Sequence, residues 1–124
     1  MSRALVVDDS RAMRMILSRT LTESGFDVVE ATNGREALEI MDREGASIGL
    51  VLLDWNMPEI SGIEVLEKLR SQSAYNGVRI IMVTTETEIE QMARALEAGA
   101  DEYVMKPFTR EAVEDKLRLI GMLP

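Results

Sequence analysis

The sequence contains neither cysteine nor histidine in its 124 residues. Without thiols there can be no disulfide, thiol nucleophile or thiolate metal site. Without imidazole, a Ser-His or Cys-His enzyme, a histidine-ligated zinc and a phosphohistidine carrier are all excluded. Carboxylate and lysine chemistry remains. Positive charge is also scarce, with 14 Lys+Arg against 22 Asp+Glu and a net charge of −8. That balance argues against nucleic acid or an anionic membrane as the main partner. It leaves a solvated acidic surface, or else a cation site or basic partner. No apolar stretch approaches the ~20 residues of a membrane span, and Ala4 to Val7 is too short for a signal-peptide core, so a cytoplasmic protein is expected. The length suits one domain over residues 1–124, with no room for a second catalytic or DNA-binding domain.

What is present is organised around LVLLDWNMP, Leu50 to Pro58. The unbroken apolar run Leu50 to Leu53 is the pattern of a strand covered on both faces. Asp54 stands where that strand leaves the core, Asn56 and Pro58 set a turn, and Trp55 and Met57 are expected to flank the site with apolar surface. In open α/β sheets the ligand crevice lies at the carboxyl ends of the strands, which makes Asp54 the first candidate for chemistry.

Apolar runs and helical patterns alternate along the whole chain. Strands are expected at Ala4–Val7, Phe26–Ala31, Ile48–Asp54, Val78–Thr84 and Glu102–Met105. Between them, Ser10 caps a helix with the stripe Met13, Ile16, Leu17, Thr20 and Leu21, ended by Gly25. Asn33 caps a helix through Ala37, Leu38 and Met41 that Gly45 stops. A third helix begins near Ser61, carries Ile63, Leu66 and Leu69, and fades into the polar segment Ser71 to Gly77. For the fourth helix, Thr85 with Glu88 or Thr87 with Glu90 offers a capping box ahead of Ile89, Met92, Ala93 and Leu96, closed by Gly99. Thr109 caps the last helix, whose stripe is Val113, Leu117 and Ile120.

Five strand–helix units imply a doubly wound parallel sheet with helices on both faces. All strand-to-helix loops then open on one edge, where Asp8, Asp9, Asp54, Thr84 and Lys106 converge. Each has a plainer reading alone: an Asp pair caps helices, a lysine is usually on the surface, and a threonine favours strands. Together they form a phosphoryl-transfer site. Asp8, Asp9 and Asp54, with the carbonyl of Asn56, supply oxygen ligands for Mg2+. Lys106 balances the remaining charge, Thr84 offers a hydroxyl, and Asp54 is the nucleophile that forms an acyl phosphate. Lys106 must point into the crevice while Phe108 turns back to the core, so a cis Lys106–Pro107 bond is expected.

LVVDDS at 5–10, LLDWNMPEISG at 52–62, MVTTE at 82–86 and GADEYVMKPFT at 99–109 resemble the receiver domain of two-component response regulators. The similarity runs through the whole chain in order and spacing, and is nearest to single-domain chemotaxis regulators of the CheY type. It implies a flavodoxin-like (βα)5 fold with strand order 2-1-3-4-5, and a signalling switch in place of an enzyme. By resemblance, Asp54 accepts a phosphoryl group from a kinase phosphohistidine, Asp9 binds Mg2+ directly and Asp8 through water. Thr84 and Lys106 grip the phosphoryl group, and Tyr103 changes rotamer as Thr84 moves. Asn56 and Glu86 tune the acyl-phosphate lifetime, while Ser61 departs from the acidic residue often found before that glycine.

The implied partners are a histidine kinase as phosphodonor, a phosphatase, and a downstream target such as a flagellar motor switch component or a phosphotransfer protein. Neither nucleic acid nor membrane is expected, and the protein is expected to be a monomer. A phosphorelay intermediate that passes its phosphoryl group to another histidine fits the same residues. A haloacid-dehalogenase-type phosphatase does not, because it needs a second aspartate where this chain has Asn56. A degenerate receiver used only as a structural partner would have lost part of the acidic, threonine and lysine set, and none is missing.

Overall fold

A computed structural model describes residues 3–85 and 90–124. Its strands are β1 (Arg3–Val7), β2 (Asp27–Ala31), β3 (Ile48–Asp54), β4 (Arg79–Thr85) and β5 (Glu102–Lys106). The helices are α1 (Arg11–Glu23), α2 (Gly34–Glu44), α3 (Gly62–Arg70), α4 (Met92–Ala98) and α5 (Arg110–Leu119). All strand pairs are parallel and the sheet order is β2-β1-β3-β4-β5, the doubly wound arrangement the sequence predicts. Among the described residues no helix is long and apolar enough to cross a membrane.

Alternation along the strands sends side chains to two separate cores. Leu5, Val7, Val51, Leu53, Ile80 and Met82 pack beneath α2, α3 and α4. Ala4, Val6, Leu50, Leu52, Ile81 and Val83 pack beneath α1 and α5. The central strands are therefore buried on both faces, which is why Leu50 to Leu53 reads as an unbroken run. Each such side chain contributes roughly 1.5–3 kcal/mol by leaving water.

Ser10, Asn33 and Thr109 cap α1, α2 and α5 as expected, accepting the N–H groups of Met13, Glu36 and Ala112, and Ser61, near which the sequence predicts the start of the third helix, caps α3 by accepting the Glu64 N–H. At Ser61 the Glu64 carboxylate reaches back and completes a capping box. Gly25 and Gly99 follow α1 and α4 at positive φ, +100° and +115°. The capping boxes foreseen for the fourth helix and its Ile89 involve positions 86–89, outside the described residues. As described, α4 begins at Met92 with no side-chain cap bond from Gln91.

Four expectations change. Ile16 is 49% exposed and Leu96 45% exposed, so neither belongs to the core stripe. On α1 the buried face is Leu17, Thr20 and Leu21, the Thr20 hydroxyl being satisfied by the Ile16 carbonyl at 3.0 Å. On α4 the buried residues are Met92 and Ala95, and Ala93 is exposed, so the helix turns a different face to the sheet than the expected stripe. Gly45 stops α2 as expected, but at an ordinary helical φ of −56°, and it is small because a Cβ there would lie 2.7 Å from the Tyr75 ring. Tyr75, inside the segment read as polar, is buried and its hydroxyl donates to the Met41 carbonyl at 2.8 Å.

The end of the sheet opposite the predicted crevice is closed by Arg70. Its guanidinium donates to the carbonyls of Gly99, Tyr75 and Val78 at 2.9, 2.8 and 2.7 Å and to Asp101 at 3.1 Å. Asp101 also accepts the Ile80 N–H at 2.8 Å.

At the crevice end, α3 presses directly against the turn after β3. A Cβ on Gly62 would overlap the Asp54 carbonyl oxygen and lie 2.9 Å from Trp55 Cα. Both are backbone atoms held by the sheet, so relief requires moving the turn itself. Gly62→Ala is expected to cost about 2 kcal/mol or more, read as a lower urea midpoint. Gly77→Ala, where a Cβ meets nothing within 4 Å, is the control and should stay within about 0.5 kcal/mol of wild type. Equal midpoints for the two variants would show that the turn is not tightly packed.

Candidate functional site

Sheet register brings the predicted residues together. Val7 pairs with Leu53, so Asp8 and Asp54 leave neighbouring strands side by side. Asp54 pairs with Val83, and Thr84 is the next residue of β4. Lys106 pairs with Thr85 at the end of β5. The turn after β3 is tied down on both sides, by the Trp55 N–H to the Val83 carbonyl at 3.0 Å and the Gly62 N–H to the Trp55 carbonyl at 2.8 Å.

The lysine ammonium lies 3.1 Å from Asp54 Oδ1 and 3.2 Å from Asp8 Oδ2. Asp8 is fully buried, and its other oxygen accepts the Ser10 N–H at 2.8 Å, so the start of α1 and the site share one carboxylate. Asp9 is exposed at the mouth. One oxygen from each of Asp8, Asp9 and Asp54 lies within 4.8 Å of the other two. Three negative oxygen donors around one point, with no nitrogen or sulfur, suit a hard cation such as Mg2+.

Burial pushes the Asp54 pKa up to about 6, and the nearby Asp8 charge adds to the rise. The Lys106 hydrogen bond and charge and the Asn56 backbone N–H work against it. For Lys106, burial disfavours the charged form, but its hydrogen bond to Asp54 and the charges of Asp54 and Asp8 outweigh that, and its pKa is raised. The resting site thus holds two carboxylates against one ammonium.

Thr84 is fully buried and its hydroxyl donates to the Thr85 carbonyl at 3.3 Å. Asn56 is exposed beside Asp54. Tyr103 is partly buried against the α4-side core, three residues before Lys106. Trp55 and Met57, which follow Asp54 in the chain, are only 5% and 8% exposed and belong to that core. The Lys106–Pro107 bond is cis, as expected, and Phe108 turns back onto the α5-side core. Glu86 lies outside the described residues. The Ser10 N–H contact to Asp8 went unforeseen, although an Asp two residues before a helix-capping serine is a pattern that could have suggested it.

Residues 4–118 match the response regulator receiver domain family. Chemotaxis protein CheY1 of Helicobacter pylori is 42% identical over 119 residues, 95% of each chain. The chemotaxis protein CheY homolog of Campylobacter jejuni is 42% identical over 116 residues, covering 93% of this chain and 88% of its own. Among solved structures, the chemotaxis protein CheY4 of Vibrio cholerae superposes with a TM-score of 0.88 at 35% identity, over 97% of this chain and 98% of its own.

The raised Asp54 pKa has a consequence for stability. Its folded value of about 6 lies above the ordinary unfolded value of about 3.9, so ionisation favours the unfolded chain. The group's contribution to stability is present below about pH 4 and is lost as pH rises through about 6. In EDTA at pH 7, Asp54→Asn should be about 1–2 kcal/mol more stable than wild type, less than full linkage because the site opens to water. The gap should close below pH 4. Urea melts at the two pH values check this, and a wild type as stable as the variant at pH 7 would contradict it.

Proposed function

The chain belongs to the response regulator receiver domain family, as a CheY-type member, and from that premise we propose that it is a phosphorylation-activated switch with Asp54 as phosphoacceptor. The donor is a phosphohistidine on a partner histidine kinase. An Asp54 carboxylate oxygen attacks phosphorus, the P–N bond breaks with its electron pair returning to the imidazole, and an acyl phosphate results. One observation carries this reading: a single ammonium bridges Asp54 and Asp8, with the Asp9 carboxylate beside them.

Receiver domains bind Mg2+ at an acidic pocket, and the Asp8, Asp9 and Asp54 oxygens fit that cation here. Asp9 and Asp54 would hold it directly, Asp8, whose oxygens accept from Ser10 and Lys106, would act through water, and the Asn56 carbonyl would add a further donor. When bound, the cation supplies the positive charge that the transferring phosphoryl oxygens need. Lys106 moves from bridging the carboxylates to bonding a phosphoryl oxygen. Thr84 turns its hydroxyl to another, and Tyr103 fills the space Thr84 leaves, remodelling the surface of α4, β5 and α5. The names of its relatives support a role in chemotaxis, and the proposed switch acts in the cytoplasm on a target such as a flagellar motor switch component, with a phosphatase to reset it.

Incubation with acetyl phosphate and Mg2+ should add one phosphoryl mass to wild type and none to Asp54→Asn. Mg2+ should also change the emission of Trp55, the only tryptophan, and raise the melting temperature by mass action. A phosphoryl group on Asp54→Asn would sink the acceptor assignment, and a flat Mg2+ titration would sink the metal site.

Chemistry and read-out use different atoms, so Thr84→Ala should accept the phosphoryl group yet lose most of the gain in target affinity. That gain is expected to be about 5- to 150-fold in wild type, measured with and without beryllofluoride. The same gain in both proteins would show that Thr84 does not couple the site to the surface.

A further inference from the structure

The Tyr103 ring stands at the open edge of the sheet, packed on one side against the core under α4. Over it, from α5, lies the Lys116 ammonium, 4.7 Å from the ring centroid. That is inside the ~6 Å within which a ring face attracts a cation. The ammonium is aimed there by Glu102, whose Oε1 is 3.2 Å from Lys116 Nζ. The same oxygen accepts the Tyr103 backbone N–H at 3.0 Å. Glu102 is thus fixed by the residue that follows it and in turn steers Lys116 onto that residue's ring. Lys116 and Glu102 are only 28% and 22% exposed, so water weakens the arrangement less than it would an open ion pair.

We propose that Lys116 is a positioning residue of the switch, holding Tyr103 with Glu102 in the position seen here and setting how often the unmodified protein visits the alternative. The inference rests on the Tyr103 movement described under Proposed function. A jump between staggered χ1 wells carries the ring off the ammonium, so the cation–ring attraction exists in one state and is lost in the other. A contact made in only one state is what biases a two-state equilibrium. Loss of the ammonium should raise the population of the moved state about two- to fivefold. By reciprocity it should tighten binding of a phosphoryl mimic by up to the same factor.

Fluorine NMR of protein labelled with 3-fluorotyrosine reads both states directly, because the chain has two tyrosines. Tyr75, buried and bonded to the Met41 carbonyl, is the internal control. Wild type, Lys116→Met, Lys116→Arg and Glu102→Gln are titrated with beryllofluoride in Mg2+. The Tyr103 midpoint should fall about two- to fivefold in Lys116→Met. It should fall by less in Glu102→Gln and stay near wild type in Lys116→Arg, whose guanidinium also stacks on rings. The Tyr75 resonance should not move. A Tyr103 that shifts normally in Lys116→Met at the wild-type midpoint overturns the positioning role and leaves the switch standing. Lys116→Arg shifting as far as Lys116→Met overturns it too, since a cation still covers the ring. A wild-type Tyr103 that ignores the mimic overturns the switch and the positioning role together.

Discussion

Two carboxylates, one fully buried and one nearly so, share a single ammonium at the end of a parallel sheet. Like charges that close in a low-dielectric setting are tolerable only while the lysine stands between them. The constraint fixes much else. Lys106 must come from β5, two strands beyond Asp54, so β4 has to lie between them, and the sheet order supplies it. Asp8 must stay where both its oxygens are occupied, and the Ser10 N–H that occupies one of them also begins α1. The charge arrangement and the first two turns of chain after β1 are therefore one structure.

Such a site costs stability, and the scaffold absorbs the cost. Burial of the Asp54 charge, with repulsion from Asp8 added, costs on the order of one or two kcal/mol, while a single buried leucine contributes as much or more. The three central strands carry a dozen such side chains into two cores. At the far end Arg70 satisfies three carbonyls that would otherwise be stranded and pairs with Asp101. Strain is concentrated at one edge and rigidity at the other, which lets the crevice hold a geometry it would not choose alone.

The sequence made the crevice legible because its signals are local and periodic. An apolar run ending in aspartate marks a strand exit, and Ser10, Asn33, Ser61 and Thr109 mark helix starts through bonds three residues away. Once the strands are parallel, topology does the rest. What could not be read depends on contacts distant in sequence. Ile16 and Leu96 fit a helical stripe by spacing, but how far each helix turns toward the sheet is set by its neighbours, and Ala95 is buried where a larger residue was expected. Tyr75 looked like part of a polar loop, because the Gly45 gap it fills and the Met41 carbonyl it bonds lie some thirty residues earlier. Trp55 likewise joins a core built from residues distant in sequence.

The same division between local and distant contacts separates the chemistry from its read-out. Asp54 and Thr84 sit on central strands whose side chains are almost fully buried, so a phosphoryl group at the proposed acceptor would be sensed by displacement of what already fills the space. β5 is different. It is an edge strand, half-exposed along most of its length, and the helix before it buries only Met92 and Ala95. Regions with few buried contacts open at the lowest cost, and so they are the ones a small change in charge can shift. Under the proposed switch, a rigid sensor beside a loosely packed edge would turn a displacement at Thr84 into movement at Tyr103, because resistance is least in that direction.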